Sequence, residues 1–249
     1  MGTCYAALVT QNDPHGAAAE GATGSTGPAD SEPDRRGIRG AVDLLGVLAY
    51  ALLVAFFRLA EDAALAESLA DKAALAEMAA AEFGNFKLIR GRLKELRVDP
   101  DEAMRPFVAA IDEFHTRTAP SDWLESLVKA YVGDGIAVDF YRTVADLLDP
   151  QTAELVAEVQ KDTGHAAFAV ARVRQAIEAD PAVAGRLALW ARRLVGEALG
   201  QAQRVAAERE DLAALLAGDE ETQLGTIGRM FAELTDAHAQ RMAALGLGD

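Results

Sequence analysis

The chain has 249 residues, 39 acidic against 24 basic, giving a net charge of -15, with 51% hydrophobic but only 6% aromatic residues. That balance excludes a general affinity for phosphate backbones, so a nucleic-acid role would need a local basic patch. The single cysteine, Cys4, excludes a disulfide framework and makes a reducing cytoplasm the expected compartment.

Residues 1–40 include a stretch, 11–40, rich in Gly, Pro, Ser and Asp. Such a segment buries too little apolar surface to order itself and is expected to be a disordered tail, holding Cys4 and His15. The N-terminus shows neither the basic flank nor the apolar core of a secretory signal. From residue 41 to 249 the Ala- and Leu-rich pattern predicts one helical domain. The first helix spans 41–62. Its apolar run, 44–57, is 14 residues long, short of the roughly 20 needed to cross a bilayer. It therefore reads as a buried core helix, with a membrane anchor as the lesser alternative, and no membrane partner is expected.

A second helix spans 69–97 and stops at Asp99-Pro100. Its end, KLIRGRLKELR (87–97), holds five cations and one anion. That run is either a basic patch or a solvated helix end whose cations complement the dipole, and the second is expected. A shorter helix covers 100–116. A third long helix spans 122–148, and Asp149-Pro150 opens a fourth, 150–179. Asp180-Pro181 starts a fifth, to 208; residues 211–217 form a short helix and 221–245 a last one. Strand alternation is sustained nowhere. The pattern predicts an all-α four-helix bundle of two hairpins joined by a long crossover, with additional C-terminal helices packed on it.

The hairpins echo each other. AYALLVAFFRL (49–59) parallels AYVGDGIAVDFYRTV (130–144), and EFGNF (82–86) parallels DTGHAAF (162–168). Glu82-x-x-Asn85 thus lies over Asp162-x-x-His165. On a continuous helix, residues three apart share one face. Paired carboxylates and a Glu-x-x-His from each second helix are what a two-metal bundle site requires. The other reading of Asp162 and His165 is a hydrogen-bonded structural pair.

The segments VDLLGVLAY, LAEMAAAEFGNFKLIRGRL, APSDWLESLVKAYVGDGIAVDFYR, DTGHAAFAV and RLALWARRLVGEALGQAQRV resemble ferritin-like actinobacterial proteins related to the tRNA 2-methylthio-N6-isopentenyladenosine hydroxylase. The resemblance spans about residues 42–245. It implies a ferritin-like bundle with a non-haem di-iron centre that activates O2 toward an organic or modified-nucleoside substrate. Carried over residue by residue, it implies metal ligands at Glu82, Asp134, Asp162 and His165. It also implies a glutamate where Leu52 stands and a histidine where Asn85 stands. Glu61 lies about 180° round the helix from Leu52, and Glu77 about 140° from Glu82, so neither fills a gap. Asp139 lies about 140° from Asp134 and is assigned to the periphery.

Two functions follow. One is a hydroxylase-type oxidoreductase holding iron or manganese. The other is an inactive helical scaffold, with metal sub-stoichiometric or absent because the site is incomplete. A homodimer through apolar helix faces is expected for either. His115 and His238 are assigned to surface or packing, Glu197 to a capped or exposed position, Trp123 and Trp190 to core anchors. Phe56, Phe57, Phe140 and Tyr141 are expected to pack the bundle, with the lining of a substrate channel as the other reading.

Overall fold

A computed structural model describes residues 32–144, 147–161, 164–217 and 223–248, with the side chains of 32–36, 134, 143, 217 and 223–231 left aside. Among these residues there is no strand. Helix α1, Glu32–Asp62, starts well before the expected residue 41, so the end of the assigned tail is helical; residues 1–31, with Cys4 and His15, lie outside the described residues. Helix α2, Leu69–Glu95, opens where the Ser68 hydroxyl accepts from the Asp71 amide at 3.0 Å. This is side-chain capping of an orphan helix donor.

The crossover is α3, Pro100–Met104, a 3-10 turn at Arg105–Phe107, and α4, Val108–Arg117. The expected single helix is interrupted because Pro106 has no amide to donate and crowds the preceding turn. Helix α5 spans Trp123–Val144. Asp99 and Asp149 cap α3 and α6, each with proline at the first helical position, as the Asp-Pro pairs predict.

The fourth helix is not continuous. Helix α6, Pro150–Val159, ends before the Lys161-Asp162-Thr163-Gly164-His165 stretch, and α7 starts at His165 and runs to Ala179. Gly164 sits at φ 100, a conformation that a Cβ disfavours strongly. Helix α8 spans Ala182–Glu208, α9 Glu210–Ala217 and α10 Gln223–Leu245.

Helices α1 and α2 form one hairpin; α5 with α6 and α7 forms the other. Helices α8 and α10 pack on α5, and α9 on α1. Ion pairs to buried carboxylates pin these additions. Asp43 of α1 receives both Nε and Nη2 of Arg209. Glu125 of α5 receives Arg186 of α8, and its carbonyl accepts the Trp190 indole at 2.9 Å. Arg92, from the basic run of α2, is buried and donates to Thr152 and Asp149 of α6, which removes it from any surface patch.

The core has two apolar layers along the bundle axis. One joins Leu44, Leu48 and Leu52 to Phe86, Ile89, Tyr141 and Val159. The other joins Leu59, Met78 and Ala79 to Val132, Ala169, Val173 and Trp190. Gly37–Leu65 is long and apolar enough to cross a membrane, with mean hydropathy 2.2, and half of that window is buried inside the protein.

Candidate functional site

The candidate ligand positions lie where one apolar layer gives way to the other. On α2, Ala79 belongs to one layer and Phe86 to the other, and Glu82 and Asn85 fall between. On α5, Val132 and Tyr141 bracket position 134. Across α6 and α7, Val159 and Ala169 bracket His165. The fold therefore brings positions 82, 85, 134 and 165 to one level of the bundle. The Asp134 side chain and Asp162 lie outside the described residues. Among the described residues, no group of three or more His, Cys, Asp or Glu is placed to hold a metal.

Two details decide how the first hairpin meets that level. Leu52 is 7% exposed and packs in the layer of Phe86 and Tyr141. Tyr141 is buried in the same layer, and burial alone pushes its hydroxyl far above the usual tyrosine range. Asn85 donates through Nδ2 to the Val159 carbonyl at 3.1 Å. Val159 is the last residue of α6, and the final carbonyls of a helix have no partner within it. Asn85 thus caps, from α2, the helix end that the break creates. At position 52 an apolar side chain in an apolar layer does not fit a metal; at position 85 the amide is held as a donor and keeps its Oδ1, a neutral and weak ligand in place of an imidazole nitrogen.

The break also changes the reading of KDTGH. The face-sharing argument for Asp162 and His165 needs a continuous helix, and α7 begins at His165 itself. The echo between hairpins does not extend to the backbone, since Gly84 is inside α2 while Gly164 turns the chain between α6 and α7. Asp139 faces α10, where Arg241 pairs with it, while Arg142 approaches along α5 at 3.3 Å. Gly135 allows this crossing, because a Cβ there would lie 2.4 Å from Cδ of Arg241. Asp139 is thus engaged between α5 and α10.

A second polar group escaped the sequence reading. Arg58 and Asp62 of α1, His115 of α4 and Lys129 of α5 lie within electrostatic reach of one another. Burial pushes Asp62 up to about 6, offset in part by Lys129. Burial also brings Lys129 down to about 8, and brings His115 down to about 3, with Lys129 and Arg58 adding to the effect on His115. Lys129 donates to the Thr118 carbonyl at 2.7 Å and sits over the Phe114 ring. Nδ1 of His115 and Nε of Arg58 are buried without a partner. His115 does pack, as expected, but inside an ionisable cluster. The one sequence signal was Lys129 interrupting an apolar stretch, LVKAYV.

Beside this cluster a cleft of about 260 Å³ runs along α1, lined by Tyr50, Leu53, Val54, Phe57, Arg58 and Glu61, with Asp112 of α4. The Tyr50 hydroxyl donates to Asp112 at 2.8 Å, and burial with that carboxylate holds Tyr50 at about 12. Glu197 is partly exposed with Arg117 at 3.7 Å, and Trp190 is buried in the second layer, both as expected. Phe57 is 50% exposed: it lies against Phe56 with ring centroids 5.1 Å apart and lines the cleft rather than the core.

Residues 35–219 match a family model described as a ferritin-like domain of actinomycetes. A solved structure of a Synechococcus protein with aldehyde deformylating oxidase activity aligns over 84% of this chain and 91% of that chain, with TM-score 0.64 and 19% identity. At that identity the likeness concerns the fold. No curated protein matches the sequence.

Proposed function

The chain belongs to the ferritin-like domain family of actinomycetes, and we propose that it serves as a helical binding scaffold that no longer runs two-metal oxygen chemistry. The observation that carries this reading is the use made of position 85. A residue at the level of a bundle metal site is engaged in capping a neighbouring helix. Leu52 supports it, because an apolar side chain in an apolar layer gives no charge or lone pair to a cation. With both positions used otherwise, Glu82 is the carboxylate that the first hairpin keeps at this level, too few donors for its half of a two-metal centre.

A second reading keeps a single cation, iron or manganese, among Glu82, Asp134, Asp162 and His165, with an oxidoreductase role on an organic or modified-nucleoside substrate. Its support is the shared level of Glu82, position 134 and His165 between the two layers, together with the resemblance to the tRNA hydroxylase. The test is metal content per chain after expression with iron and manganese supplements, in the natural protein and in Leu52→Glu/Asn85→His. The scaffold reading expects well under one metal per natural chain, and a gain in the variant. One or more metals in each natural chain would overturn it in favour of the second reading.

A further inference from the structure

Helix α1 carries a stripe that starts inside the protein, where Val54 is buried and Tyr50 and Leu53 pack against the core, and emerges at Phe57. Tyr50, Leu53, Val54, Phe57, Arg58 and Glu61 follow the i, i+3, i+4, i+7 spacing of a helix-packing seam, and they line the open cleft against α4. Phe57 stands on its rim, half exposed. Its ring continues a ladder through Phe56 and Phe83, with centroids 5.1 Å apart at each step, and Phe83 also reaches the surface. An aromatic anchor beside an open cleft is the usual build of an interface hot spot.

We propose that this face is a homodimer interface, in which Phe57 of one copy enters the α1–α4 cleft of the other and Arg58 of each copy faces Asp112 of its partner. A two-fold contact requires one patch to hold both halves of every complementary pair. This patch does so. It has a projecting ring and a recess, and it has Arg58 at one end of the stripe and Asp112 beside Tyr50 at the other. The alternative occupant of an apolar α1 face is a lipid surface, and the charges argue against it. Peripheral membrane helices flank their apolar face with cations to meet anionic headgroups. Here Glu61 and Asp112 border the cleft against Arg58, which Glu61 pairs at 2.8 Å within the same helix, in a protein with net charge -15. The proposal does not depend on whether a metal binds.

The experiment uses the full chain. Sedimentation velocity across a concentration series should show a monomer–dimer equilibrium that tightens from low to physiological salt, because two acidic copies repel over a Debye length of about 8 Å at 0.15 M salt. Phe57→Asp, at a half-exposed position, should weaken dimerisation at least tenfold while leaving the circular dichroism spectrum and melting profile of the monomer unchanged. Arg58→Asp and Asp112→Arg supply the intermolecular check. Each variant alone should be largely monomeric, because like charges then face each other twice. Mixed one to one, they should form a heterodimer, because both cross-copy pairs are then opposite in sign. A monomer at every concentration, a dimer unaffected by Phe57→Asp, or a mixture that stays monomeric would each overturn the proposal. So would a monomeric chain that sediments with phosphatidylserine vesicles through Phe57, which would assign the face to lipid.

Discussion

Replacing His115 by glutamine should remove a built-in sensitivity to acid. In the folded protein, burial with Lys129 and Arg58 nearby holds the imidazole at about 3, whereas the ordinary value is 6.5. A histidine depressed in the folded state contributes stability that is present above pH 6.5 and lost as pH falls toward 3, since the unfolded chain binds the proton first. At pH 5 the difference is about 1.5 pH units at 1.36 kcal/mol each, or about 2 kcal/mol. Asp62 opposes this. Its folded value of about 6 lies above 3.8, so the folded state takes up that proton first and gains as pH falls from 7 to 5. Asp62 is half-buried, and solvent screening holds that gain to about 1 kcal/mol or less. The natural protein should therefore show a shallow net loss. The His115→Gln variant, keeping Asp62, should gain about 2 kcal/mol relative to it between pH 7.5 and pH 5. Urea unfolding followed by circular dichroism at both pH values measures this. A difference between the two proteins that stays constant within about 0.5 kcal/mol would refute the neutral, buried His115.

Two other outcomes follow from the helix break, beside the metal and dimer tests. Asn85→Ala should cost about 1 kcal/mol in urea unfolding, the net worth of one hydrogen bond, because it uncaps the Val159 carbonyl; no loss would mean that water replaces the cap at no cost. Gly164→Ala has open space around its new methyl group, yet a φ of 100. It should destabilise by about 1–2 kcal/mol through backbone strain alone, and a neutral result in the same assay would show that the turn tolerates another conformation.

Much of the architecture was readable in one dimension, because its causes are local. Asp99-Pro100, Asp149-Pro150 and Asp180-Pro181 mark helix starts through a capping carboxylate and a residue with no amide to lose, and α3, α6 and α8 begin within a residue or two of them. The Ala- and Leu-rich repeats between them produce helices whose apolar faces need partners, and a bundle supplies those partners. The break at Gly164 was not readable, since the helical pattern of 150–179 continues across it and the turn depends on one backbone angle. Nor was the role of Asn85, whose partner Val159 is 74 residues away. The cluster of Arg58, Asp62, His115 and Lys129 comes from three helices. Its unusual proton affinities arise from desolvation, which no side chain carries until its neighbours are in place. The same holds for Phe57, apolar in a run of apolar residues, which packing leaves half exposed where the stripe of α1 emerges at the cleft.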